Sequence, residues 1–168
     1  MVAKYKTLQN DPVTRETWSI ALGKEFVNMA QGDVKTNTPG TNSIFVLTHE
    51  QIRNIPKGRV VTYARLLVDF IPQKKDPNRV RMMAGGNLTK YLGKLTTQTA
   101  NLTTSKILRN SVLSTENAKY MCLDISNFYL GTPLGHYEYM WIPLASFPEH
   151  TKEQYNMQQH TNNGFVYV

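Results

Sequence analysis

The chain has 168 residues, 40% of them hydrophobic and 18% charged, a balance that excludes disordered and collagen-like classes. Lys and Arg outnumber Asp and Glu by 19 to 12, and the resulting net charge of +7 favours polyanionic partners through phosphate contacts and counterion release. No run of apolar residues approaches the ~20 that a membrane span needs. The single cysteine, Cys122, excludes an internal disulfide and fits a reducing compartment.

Residues 12–30 are predicted to form the first long helix. Asp11 can cap it, Pro12 suits its first turn, and Gly32 follows its last periodic position. One side carries an apolar stripe at helical spacing, formed by Trp18, Leu22, Phe26 and Met29. We therefore expect this helix to dock on a neighbouring element.

The next segment contains two short elements after a turn-forming connection at residues 33–43. The apolar run from Ile44 to Leu47 predicts a strand. Thr48 and Gln51 have the spacing of a capping box, which predicts a brief helix ending before Pro56.

A β-hairpin with a basic loop is predicted next. The stretch from Arg59 to Phe70 and the run from Val80 to Ala84 are rich in β-branched, aromatic and apolar residues. The turn formers at 72–78 separate them and include Lys74 and Lys75. The loop of the hairpin therefore carries positive charge, and the ordinary interpretation of these lysines is a solvated turn.

A helix and a strand with a carboxylate are predicted further along the chain. Thr103 can cap a helix that runs to Ser114, with three apolar side chains turned inward: Ile107, Leu108 and Val112. The segment from Lys119 to Ile125 predicts a short buried strand with Asp124 near its end. A carboxylate there is costly unless it pairs or binds a cation, and its oxygens suit Mg²⁺. The alternative is a helix cap or a turn former.

The segment Asp-Ile-Ser-Asn-Phe-Tyr-Leu, residues 124–130, resembles the first polymerase motif of copia-type retrotransposon reverse transcriptases. That motif usually reads Asp, a β-branched residue, Lys, Asn, Ala, an aromatic residue and Leu. The hairpin is similar to the family's fingers hairpin, whose second strand commonly reads Lys-Ala-Arg-Leu-Val-Ala-Lys-Gly. The helix that contains Trp18 and the segment Tyr137-Glu138-Tyr139-Met140 match further family features in order, so the resemblance covers about residues 11 to 168.

The resemblance implies specific roles for residues near this motif. Asp124 would be the first catalytic, metal-binding aspartate of the palm, with Mg²⁺ or Mn²⁺ also held by the backbone carbonyl of Ile125. The incoming deoxynucleoside triphosphate would meet the backbone at Phe128, and Tyr129 would be the steric gate that rejects ribonucleotides. Without the family match, Tyr129 is equally well read as a core aromatic.

The hairpin would supply the remaining contacts to the triphosphate. Arg81 would clamp it, together with Lys74 and Lys75 at the tip. Arg81 on a strand has the alternative of pairing with an acidic neighbour.

This sequence also departs from the family pattern. Ser126 replaces the usual lysine, Phe128 replaces a small residue, and Gly85-Gly86 lacks the customary lysine between its glycines. The Asp-Asp pair that the family carries downstream is absent, and two-metal nucleotidyl transfer needs several convergent carboxylates. We therefore expect a truncated sequence that has no polymerase activity alone.

The resulting expectation is an α+β fold, with a small antiparallel fingers hairpin and helices leading into the first strand of a right-hand polymerase palm. Residues 1–10 would be an N-terminal extension, residues 11–118 the fingers-like region, and residues 119–168 the incomplete palm. The implied function is RNA-directed DNA polymerase activity, extending a primer with deoxynucleoside triphosphates.

The implied partners are an RNA or DNA template-primer, the triphosphates, and the remaining palm, thumb and ribonuclease H regions of the polyprotein, with no membrane. The implied location is the cytoplasmic virus-like particle, or the nucleus during integration. The rival interpretation is a non-catalytic, basic nucleic-acid-binding remnant of such an element.

Overall fold

The computed structural model describes residues 4–89, 101–123, 125, 127–131 and 134–168. The fold is α+β, as predicted. Two compact units divide the chain: Met1–Thr89 together with Tyr129–Val168, and Lys90–Phe128. The boundary expected after residue 118 falls inside the second of these units. No helix in the described ranges is long and apolar enough to cross a membrane.

The first unit contains four helices and six strands among its described residues. The helices are α1 (Tyr5–Asn10), α2 (Arg15–Met29), α3 (His49–Arg53) and α5 (Glu149–Gln154), and α4 (Leu102–Ser114) lies in the second unit. The strands are β1 (Gly32–Asp33), β2 (Thr38–Pro39), β3 (Val61–Phe70), β4 (Asn78–Ala84), β5 (Tyr139–Pro143) and β6 (Phe165–Tyr167).

Helix α2 begins three residues later than predicted. Asp11 stabilises the preceding turn instead: its Oδ1 accepts the Val13 N–H at 3.0 Å, and its carbonyl accepts the N–H of Arg15 at 2.9 Å. The position before the first helical residue belongs to Thr14. Pro12 therefore lies in the turn between α1 and α2, where its missing N–H costs no helical hydrogen bond.

The predicted hairpin is confirmed. Strands β3 and β4 pair antiparallel from Ala64 opposite Ala84 to Phe70 opposite Asn78. The N–H of Ile71 donates to the carbonyl of Pro77 at 2.8 Å and closes the loop. The turn-forming residues at 72–78 thus do what their composition indicated.

The sheet extends beyond the hairpin to four strands in the order β4-β3-β5-β6. The first residues of β3, Val61 to Tyr63, pair parallel with β5, and β5 pairs antiparallel with β6. The antiparallel hairpin is therefore one part of a mixed sheet. Strand β5 was not predicted, although Tyr139–Ile142 alternates between half-buried and buried residues.

The core of the first unit lies between α2 and one face of this sheet. The predicted stripe is confirmed, because Leu22 and Phe26 are fully buried and Trp18 is nearly so. They pack with five sheet residues: Val80, Met82, Met140, Ile142 and Val166. The Phe26 ring also makes edge contacts with Phe147 and Tyr155, at centroid distances of 5.1 and 5.2 Å.

The two short elements predicted at 44–56 have different outcomes. The strand at 44–47 is wrong: this segment belongs to no strand, although Ile44 and Val46 pack on the core and the Leu47 N–H donates to the Tyr167 carbonyl at 2.8 Å. The capping box is confirmed: the Thr48 hydroxyl accepts from the Gln51 N–H, and the Gln51 side chain accepts from the Thr48 N–H.

The second unit contains helix α4 (Leu102–Ser114), close to the predicted range. Its cap is Asn101, whose side chain accepts from the Thr103 N–H, so the cap predicted at Thr103 is wrong. The predicted inward side is also wrong, since Ile107 and Leu108 are more than half exposed. Propensity and capping specified the helix, and none of its own side chains is buried.

The buried strand expected at 119–125 is wrong for the described residues 119–123 and 125. They belong to no strand, and their apolar members are exposed, among them Met121, Leu123 and Ile125. The composition was strand-like, but a strand forms only where a partner strand offers its hydrogen bonds.

Candidate nucleic-acid interface

The sheet has one face toward α2 and a second, outer face. Along β4, the side chains of Val80 and Met82 are buried on the inner face, so those of Arg79 and Arg81 point to the outer face. Across the hairpin, Arg81 lies opposite Leu67. The alternating pattern of the strand thus places the predicted triphosphate ligand Arg81 on an exposed surface.

Two further arginines share this surface. Arg79 and Arg65 are exposed, and by strand alternation they lie on the same face as Arg81. Asp69, opposite Arg79, is the carboxylate of β3 on this face. Among the described residues, no ion pair within 4.0 Å involves any of the three arginines. Beyond that distance, the charges of Arg79 and Arg81 act on the Glu25 carboxylate of α2. The alternative expected for Arg81, an acidic neighbour, is therefore met in part by Glu25, without a direct ion pair.

The predicted lysines lie at the tip of the hairpin, as expected. Lys74 and Lys75 are both exposed, and neither makes an ion pair among the described residues. The neighbouring Asp76 binds Lys24 of α2 at 3.0 Å, with both side chains largely exposed. Such exposed ion pairs contribute only about 0–1 kcal/mol to stability, so this contact adds little to the stability of the hairpin tip.

Behind the arginines lies a half-buried carboxylate that sequence reasoning missed. Burial raises the pKa of Glu25, although a hydrogen bond from the Met82 N–H and the charges of Arg79 and Arg81 oppose that shift. Strand β4 is an edge strand, and Glu25 therefore satisfies a donor that would otherwise face outward from the sheet. The sequence did not predict this contact, because Glu25 lies on the polar side of α2 and reaches β4 only through the way the helix crosses the strand.

The other end of the outer face is aromatic. Tyr63, Trp141 and Tyr167 lie in register on β3, β5 and β6, and Phe165 is two residues from Tyr167 on the same face. Ring centroids are 6.2 Å apart for Tyr63 and Trp141, and 4.8 Å apart for Trp141 and Phe165. All four side chains are half-buried. The missed strand β5 explains why sequence reasoning did not find this cluster.

Glycine at position 85 keeps the edge of the aromatic cluster closely packed. A Cβ there would lie 2.8 Å from the Tyr63 ring and 2.7 Å from the Thr62 hydroxyl. The Tyr63 hydroxyl donates to Asn87 Oδ1 at 2.9 Å, and the Thr62 hydroxyl donates to the Gly85 carbonyl at 2.7 Å. The chain after β4 therefore fixes the orientation of the first ring in the row.

The predicted polymerase motif is described only in part. Asp124 lies outside the described residues. Ile125 is exposed, and the backbone of Phe128 and Tyr129 begins a single 3₁₀ turn, Phe128–Gly131, while their side chains are not described. The roles predicted for these four residues therefore stay predictions.

No group of three His, Cys, Asp or Glu side chains in the described ranges is arranged to hold a metal ion. Such a site needs several convergent oxygen ligands. Asp124, the ligand that the resemblance implies, lies outside the described residues, so the Mg²⁺ or Mn²⁺ site stays a prediction.

The comparisons with known proteins complete this description. No protein-family model, no curated protein and no solved structure matches the chain.

Proposed function

We propose that this chain is the fingers and the beginning of the palm of a copia-type reverse transcriptase, an RNA-directed DNA polymerase. The observation that supports the proposal best is the outer face of the hairpin. Its three arginines form no ion pair within 4.0 Å among the described residues. Together with two lysines at the tip, they suit the phosphates of a triphosphate and of a nucleic-acid strand. A two-stranded element with a basic loop at this place in the order of motifs is what the family resemblance requires.

Positioning is the contribution that these residues would make to nucleotidyl transfer. A primer 3′ hydroxyl would attack the α-phosphorus of the triphosphate and release pyrophosphate. Arg81 would orient the triphosphate, since a guanidinium group can bind two phosphate oxygens at once. Holding the reactants together supplies much of the rate in such reactions.

Electrostatics support a polyanionic ligand here. Residues 61–84 include five Lys or Arg and two Asp. Phosphate contacts of this kind give an affinity that falls steeply with salt, because bound counterions are released on binding. They carry no sequence information, which suits an enzyme that copies any template.

The test is primer extension by the reading frame that contains these residues, expressed with the sequence encoded downstream. We expect DNA synthesis on an RNA template that Asp124→Asn abolishes. Arg81→Ala should raise the KM for the triphosphate about tenfold or more, the effect of losing one charge-assisted contact. Arg53→Ala, at an exposed arginine at the end of α3, is the matched control and should change nothing.

The same assay distinguishes the enzyme from the rival interpretation, a non-catalytic remnant that binds nucleic acid. In that case nucleic acid would bind with a strong salt dependence, but no synthesis would occur under any divalent metal. Synthesis that Asp124→Asn leaves intact would instead contradict the polymerase motif assigned here.

A further inference from the structure

The outer face of the sheet combines two kinds of side chain in one continuous surface. Arg65 lies two residues beyond Tyr63 on β3, a separation of about 7 Å along the strand. From Tyr63 the aromatic row continues through Trp141 to Phe165 and Tyr167. The arginines therefore lie on the part of the face formed by the β3–β4 hairpin. The aromatic rings lie on the part formed by the start of β3 with β5 and β6.

A row of half-buried aromatic rings on the outer face of the sheet needs an explanation. The opposite face already buries the core residues of this unit against α2, so the aromatic row is not needed for that core. Every base has a flat face that stacks on such rings, while a neighbouring cation binds the phosphate that follows. Proteins that bind single strands without sequence preference use this combination.

We propose that this face is a binding platform for single-stranded nucleic acid, with bases stacked on Trp141 and its neighbours and the backbone held by Arg65. The platform rests on the proposed function, in which a template strand must be held unpaired ahead of synthesis. The proposal places the unpaired template strand on the β5–β6 side of the sheet. Charge complementarity and the aromatic row favour a single strand, because the bases of a duplex are already stacked and paired.

The test separates stacking from phosphate contact by comparing two oligonucleotides of equal length and charge. Fluorescence anisotropy is measured with labelled dT15 and with a fully abasic 15-mer. We expect dT15 to bind at least fivefold more tightly, the lower limit for stacking of a single base on an aromatic ring. Equal affinities would overturn the proposal.

Two variants assign the effect to the face. Trp141→Leu keeps an apolar side chain on β5, and should lower dT15 affinity about fivefold or more while leaving abasic binding unchanged. Arg65→Gln should weaken the binding of both oligonucleotides and reduce the salt dependence. Tyr137→Leu, at a tyrosine that is exposed just before β5, is the matched control and should leave both affinities unchanged.

Tryptophan fluorescence gives a second readout that does not depend on the label. The chain has two tryptophans, and Trp18 lies in the core, so Trp18→Phe leaves Trp141 as the reporter. Quenching by dT15 but not by the abasic strand supports stacking on Trp141. Quenching by both, or by neither, contradicts it.

The outcome is independent of the polymerase assignment. A preference for bases that Trp141→Leu removes supports the platform. If the reading frame expressed with the downstream sequence shows no primer extension, that result contradicts the enzyme but not the platform. Primer extension with no such preference contradicts the platform alone. Circular dichroism of each variant confirms that the sheet has formed.

Discussion

Two buried threonines should respond in opposite directions to the same substitution. Thr151 in α5 is fully buried, and its hydroxyl has no hydrogen-bond partner among the described residues. Thr62 in β3 is equally buried, but its hydroxyl donates to the Gly85 carbonyl at 2.7 Å. Valine has nearly the shape of threonine and lacks the polar atom, so Thr151→Val removes an unsatisfied group whereas Thr62→Val removes a hydrogen bond.

The packing around Thr151 explains why its hydroxyl lacks a partner. Helix α5 lies directly against the backbone of α2 at Gly23, where a Cβ would come within 2.8 Å of the Thr151 hydroxyl and 2.9 Å of Pro148. An unsatisfied buried polar group costs about 1–3 kcal/mol, so we expect Thr151→Val to raise the free energy of unfolding by about 1 kcal/mol.

Thr62→Val should lower the same quantity by about 1 kcal/mol, because the Gly85 carbonyl keeps a second donor, the Leu88 N–H at 3.2 Å. The two variants should therefore differ by about 2 kcal/mol. Urea unfolding followed by circular dichroism measures this difference. The slope of the free energy against denaturant should stay the same in both variants. If Thr151→Val destabilises the protein as much as Thr62→Val does, the hydroxyl has a partner and the reasoning fails.

Three further substitutions test other contacts. Glu25→Gln should raise the free energy of unfolding at neutral pH. Because the pKa of Glu25 is raised in the folded state, stability falls as pH rises from 4.5 through that pKa, and glutamine, which does not titrate, removes this loss. Exposed Glu153→Gln is the control and should leave the pH profile unchanged. Tyr5→Phe should cost about 1 kcal/mol by losing the bond from its hydroxyl to the Ser146 carbonyl at 3.1 Å. Burial raises the Tyr5 pKa to about 12, so the variant should also lose less stability between about pH 10 and 12. Thr48→Ala should destabilise α3 by about 1 kcal/mol, seen as faster amide hydrogen exchange at residues 51–54.

Each of these has a result that would contradict it. An unchanged pH profile in Glu25→Gln would mean that the carboxylate is solvated. Identical alkaline unfolding of Tyr5→Phe and the original chain would mean that the phenol is not buried against Ser146. Unchanged exchange in Thr48→Ala would mean that the capping box does not hold α3.

The local elements of this chain could be predicted because short-range chemistry specifies them. The stripe through Trp18, Leu22 and Phe26 predicted α2, and Thr48 with Gln51 predicted a capping box. The turn-forming residues between two β-rich runs predicted the hairpin and so placed Lys74, Lys75 and Arg81 correctly on its tip and second strand. In each case the interacting residues are close in sequence, and the period of the element is visible in it.

The tertiary structure alone decided which segments became strands and which faces met. Tyr139–Pro143 became a strand because Val61 to Tyr63 offered it a parallel partner, while the strand-like residues 119–123 have none among the described residues. That pairing, between residues almost 80 positions apart in the chain, brings Tyr63 beside Trp141. Strands that pair across a long stretch of sequence leave no periodic signal in it. The sequence therefore indicated a basic chain with helices and strands, but only the folded sheet brought its arginines and aromatic rings onto one surface.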